Sequence, residues 1–110
     1  MDTAVDILPF GAARRIVAGL LAIPGIAGMS GGAFGEVALY YPFERVHGLK
    51  LVRDPHSGVP ERVEVHLIAD LRALLHTSPP TPLVTVADSA RSVVVKQCAL
   101  PVDVIFSGGQ

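Results

Sequence analysis

Gly28-Met29-Ser30-Gly31-Gly32 has the G-x-S-x-G spacing of a serine nucleophile elbow. Such an elbow works because a strand enters the turn and a helix leaves it, which exposes the hydroxyl beside backbone N–H donors. Here the hydrophobic pattern predicts a helix before the turn and a strand after it, and 110 residues are too few for the hydrolase fold that uses the motif. The same reversed order argues against a phosphate cradle. That needs a helix N-terminus after the glycines and, in a P-loop, a lysine that this segment lacks. Ser30-Gly31-Gly32-Ala33 reads as a flexible connection.

The remaining chemistry-bearing residues are scattered. His47, His56, His66 and His76 stand singly, whereas metal sites draw ligands in close pairs on one element or from converging strands. Only His47 and His66 could meet across a hairpin, and the register argued below sets them on opposite faces. Cys98 falls on the apolar stripe of a helix with Lys96 as its one nearby cation, the setting of a buried structural thiol. No catalytic residue, metal ligand or cofactor is assigned. Tyr40, Tyr41, Phe43 and Arg45 form the one cluster suited to recognition, since aromatics beside an arginine anchor protein interfaces. Alternation buries Tyr41 and exposes Tyr40, or the reverse if the strand begins elsewhere.

The elements that position these residues follow from hydrophobic period. Asp6 to Ala22 predicts a helix, with Ala13, Ile16, Val17, Leu20 and Leu21 along one stripe and Arg14 and Arg15 off it. Ala18, Gly19 and Ala22 are small enough for close approach, and Pro24-Gly25 ends the helix. Glu36 to Tyr41 alternates as a strand, Pro42 interrupts it, and Val46 to Arg53 is a second strand. Asp54-Pro55-His56-Ser57-Gly58 closes a hairpin into the strand Glu61 to Asp70. Pairing Leu49 with Val65 and Leu51 with Val63 joins apolar residues and sets Lys50 opposite Glu64. A slip of one residue would place Leu49 against Glu64. Ser78 to Pro82 leads into a second helix, with Thr81 as N-cap and Pro82 at the first helical position. Its stripe is Leu83, Val86, Ala87, Ala90, Val94 and Cys98, although Val93-Val94-Val95 alone would suit a strand. Pro101 to Ser107 is the last strand. The expectation is one α+β domain over residues 1–110: two helices on one face of a mostly antiparallel sheet of three or four strands, in the order helix, strand, strand, strand, helix, strand. Ile16, Leu20, Val63, Val65, Leu67, Val86 and Val94 form its predicted core.

Composition bounds what such a domain does. Half the residues are hydrophobic, 17% are charged and the mean hydropathy is +0.49, which excludes disorder and leaves apolar surface for a partner. With a net charge of −1 and dispersed basic residues there is no concentrated positive field for nucleic acid. A lone cysteine fits a reducing compartment. Ile16 to Met29 is uncharged, but Pro24 divides it and a spanning helix needs about 20 apolar residues. Asp2 and Asp6, with no basic residue among the first few, also argue against a signal peptide.

Several stretches in order resemble the alkaline shock protein family, envelope stress response proteins of Gram-positive bacteria. Ala22 to Met29 (AIPGIAGM) is similar to its "V-x-G-V-x-x-M" segment. Gly35 to Val52 (GEVALYYPFERVHGLKLV) is similar to its strand, polar turn and "G-V-x-V" strand, and Glu61 to Ala69 (ERVEVHLIA) to its alternating strand. Pro82 to Val94 (PLVTVADSARSVV) resembles its "I-P-x-V-A-x-x-V" helix, and Leu100 to Ile105 (LPVDVI) its terminal "V-x-V-x-V" strand. The family's Tyr-Gly before the second helix is replaced by Arg72 to Pro80, and its charged tails are absent. The resemblance implies a cytoplasmic, non-enzymatic protein that self-associates. It also implies collection at the inner face of the cell membrane through a small membrane-spanning anchor protein, with no nucleic acid, no lipid insertion and no cofactor. An iron–sulfur assembly or scaffold domain shares the element order and an Asp-Pro-x-x-Gly turn like Asp54 to Gly58, but here that turn sits inside a hairpin and Cys98 stands alone. A KH-type RNA module would need a G-x-x-G loop between two helices and a basic groove, and the chain has neither.

Overall fold

Strict alternation over Pro60–Ala69 makes this segment, β5 in chain order, the centre of the fold: Val63, Val65, Leu67 and Ala69 are buried, and the residues between them are half-exposed. A computed structural model describes residues 8–32 and 34–109. The helix expected from Asp6 begins only at Phe10, after Pro9 with an extended ψ of 153°; Asp6 itself and Ala33 of the Gly-rich connection lie outside the described residues. The elements are α1 (Phe10–Leu21), β1 (Ile26–Met29), β2 (Ala38–Tyr41), β3 (Glu44–His47), β4 (Leu49–Arg53), β5, α2 (Leu71–Leu75), α3 (Leu83–Val95) and β6 (Val102–Gly109).

β4 and β5 pair in the expected register, Leu49 with Val65, Lys50 with Glu64 and Leu51 with Val63. Asp54 shapes the hairpin turn: its Oδ1 accepts the N–H of His56 at 2.7 Å and of Ser57 at 3.0 Å. The Ser57 and His56 donors hold the Asp54 carboxyl below the usual carboxylate range. β6 runs parallel to β5, with Val63, Val65 and Leu67 beside Val102, Val104 and Phe106. The class is therefore α+β with a mixed four-stranded sheet.

The expected order needs three corrections. Ile26–Met29 is a strand, β1, antiparallel to β5 near its end, with Met29 opposite Leu67. It shares one edge of β5 with β4, because His66 gives its N–H to Gly48 C=O at 2.8 Å and accepts Ser30 N–H at 2.9 Å. Next, the expected second strand is divided at Gly48, whose φ of +92° turns the chain between β3 and β4. β3 instead pairs with β2 in a separate two-stranded ribbon, Tyr40 opposite Arg45 and Tyr41 opposite Glu44. Third, α2 follows Asp70, whose Oδ1 accepts Ala73 N–H at 3.0 Å as a side-chain N-cap. α3 also starts one residue later than expected: Pro82 is the N-cap with extended ψ, and the Thr81 hydroxyl pairs with Thr77 at 2.8 Å.

The buried stripes of both long helices join the buried face of β5 in one core, which contains every expected member: Ile16, Leu20, Val63, Val65, Leu67, Val86 and Val94. That burial holds Val93-Val94-Val95 in a helix against its strand-favouring side chains. α1 and α3 meet closely because Gly19 lacks a side chain; a Cβ there would lie 2.8 Å from Val93 Cγ1.

Candidate protein-interaction site

The β2–β3 ribbon carries all four residues singled out for recognition, and it separates them. Tyr41 is buried: its hydroxyl donates to Leu8 C=O at 2.6 Å, and its ring meets Phe10 edge-on at 5.3 Å between centroids. It is a core residue, because β2 turns Leu39 and Tyr41 inward. Of the four residues singled out, Tyr41 therefore belongs to the core, which leaves Tyr40, Phe43 and Arg45 toward the surface. Burial pushes the Tyr41 phenol up to about 12. Tyr40 is half-buried and faces Arg45 across the ribbon.

Phe43 sits in the tight turn that joins the two strands. Its φ is +68°, a region that bulky side chains rarely occupy, and its side chain is wholly exposed. Pro42 supplies the fixed φ that such a turn favours before the positive-φ residue. The outcome is an aromatic ring held in solvent at the ribbon tip, costing both backbone strain and apolar exposure.

A groove of about 420 Å³ runs between this ribbon and α1. Val17, Ala18, Leu21, Met29 and Val46 make its apolar floor, and Arg14, Arg45 and His47 its rim. Among the described residues no carboxylate lines it, and neither Arg14 nor Arg45 forms an ion pair. The Arg14 guanidinium lies 5.8 Å from the centroid of the Phe10 ring, and the His47 ring lies against Gly31. The sequence cluster led to Arg45 but missed the helix side of the groove. The signal available was Arg14 one turn before Ala18 and two before Leu21, which places a cation beside an apolar strip.

The other sequence candidates do not converge. The Ser30 hydroxyl accepts Gly32 N–H at 3.3 Å within its own loop. His66 bonds Glu64 at 3.0 Å on the sheet, and Cys98 is buried. Among the described residues no three His, Cys, Asp or Glu side chains gather as a metal site, and no helix is long and apolar enough to cross a membrane. Compared with protein-family models, curated proteins and solved structures, the chain has no match.

Proposed function

We propose that this chain is a non-enzymatic interaction domain that self-associates and is held at the inner face of the cell membrane by a small membrane-spanning anchor protein. Its role is in the envelope stress response, as the resemblance to the alkaline shock proteins implies. The observation that carries the reading is the ribbon surface: an exposed Phe43 at the tip and an apolar groove rimmed by Arg14, Arg45 and His47. An aromatic anchor beside a concave apolar floor is the arrangement of a protein-binding hot spot. Two arginines, with no carboxylate among the described lining residues, complement an acidic segment with an apolar face, which defines the part of the anchor that docks there.

Membrane residence is borrowed from that partner. Two arginines attract anionic lipid by only about 1 kcal/mol each, too little to hold the domain on a bilayer alone. The purified chain should therefore stay in the supernatant when sedimented with protein-free liposomes containing anionic lipid. In its native cells it should fractionate with membranes, and deletion of the anchor should release it to the cytosol. Strong liposome binding, or a wholly cytosolic distribution with the anchor present, would each overturn the reading.

A further inference from the structure

β6 closes the mixed sheet on one side, and among the described residues its own outer edge is open. Val63 N–H donates to Pro101 C=O at 2.9 Å, so the odd-numbered residues at the start of this strand turn their backbone groups toward β5. The N–H and C=O of Val102, Val104 and Phe106 then point outward, and no strand pairs with them among the described residues. Natural edges are blunted by lysine, proline or a bulge. Val102 to Phe106 (VDVIF) holds neither residue, and the irregularity in its pairing with β5 comes only after Phe106. Its single charge, Asp103, lies 2.7 Å from Arg62 Nε of the same chain.

The helix beside this edge carries two exposed valines on the same flank, with the Asp88–Arg91 ion pair between them. α1 packs by β1 and α3 by β6, at opposite sides of β5. Val93 of α3 turns toward Gly19 of α1, which puts Val84 and Val95, about half a turn round the helix, on the side away from α1. They are 64% and 58% exposed.

We propose that two copies of this chain pair through β6, antiparallel about a twofold axis at Ile105, so that one sheet runs through both. The choice of a second copy follows from self-complementarity. With the axis at Ile105, Val104 meets Phe106 of the other copy, both presenting outward backbone groups, and Asp103 meets Ser107. An axis at Val104 would set Asp103 against Ile105. Strand pairing alone is a small contact, whereas a specific interface buries at least about 1,000 Å² in total. The α3 flanks of the two copies, brought together by the same axis, extend it with Val84, Val95 and the Asp88–Arg91 pairs between them.

This proposal rests on the self-association stated above, and one experiment separates the two. Sedimentation velocity on the full chain should show a concentration-dependent dimer. Ile105 faces itself across the axis and is only half-buried, so Ile105→Lys and Ile105→Glu should each weaken the dimer about tenfold or more by setting like charges opposite. Mixed in equal amounts they should restore it as a heterodimer, which loss of folding could not do. Val95→Glu, at an exposed site, should weaken the dimer with an unchanged melting temperature. A wild-type chain that stays monomeric at high micromolar concentration overturns self-association and this interface together. Undiminished dimers in all three variants overturn the β6 interface alone, and monomeric variants that fail to associate when mixed overturn the axis at Ile105.

Discussion

Gly48→Ala should destabilise the fold by about 3 kcal/mol, and Gly58→Ala by about 1 kcal/mol, measured by urea unfolding. Both glycines have positive φ, +92° and +73°, so either substitution forces an L side chain into the left-handed region. They differ in what the new methyl group meets. At Gly58, in the β4–β5 turn, there is open space. At Gly48 a Cβ would lie 2.6 Å from Met29 Cε and 2.7 Å from Met29 Cβ. The thioether end can swing away, but the Cβ cannot move unless β1 shifts against Leu67. Gly48 also gives its N–H to Val37 at 3.0 Å and accepts from His66 at 2.8 Å, so it ties the ribbon to the sheet. Equal losses at the two glycines would show that backbone strain alone matters, and that the β1 contact does not.

Ionisation of Tyr41 should remove about 2–3 kcal/mol of stability across the alkaline range. Burial raises its phenol from 10.0 to about 12, so the fold favours the neutral form. That preference is fully present below pH 10, where the unfolded chain is also neutral. It is lost as the pH rises from 10 towards 12, because the unfolded tyrosine ionises first. Tyr41→Phe should lose about 1 kcal/mol at neutral pH with the bond to Leu8, yet decline less than wild type between pH 10 and 12. Every other group is common to both proteins and cancels in the comparison. Parallel declines would place the phenol in contact with water.

What the sequence announces, and what it hides, divides along local and distant causes. β5 and its register with β4 are legible because apolar and charged residues alternate over Pro60–Ala69, and any slip opposes Leu49 to Glu64. β1 is not. It has four residues, one of them Gly28, it follows the helix-ending Pro24-Gly25, and its pairing partners lie far along the chain at Leu67 to Ala69. The ribbon is half legible: alternation finds β2, but Pro42 and Phe43 look like an ending when they are a turn. β6 is visible as a strand, yet alternation is the same whether a strand runs parallel or antiparallel, so its direction and open edge appear only in the fold. The candidate site follows the same rule. Phe43 and Arg45 could be found because they are neighbours, whereas Arg14 joins them only when α1 packs beside the ribbon.

The most direct test of a protein-docked ribbon is a photo-reactive amino acid placed at Phe43 in native cells, with Ser57 in the β4–β5 turn as the exposed control. After irradiation, mass spectrometry of the adducts should identify a small membrane-spanning protein joined at position 43 and absent from position 57. Adducts of that protein in equal amount at both positions, or lipid adducts alone at position 43, would contradict the account.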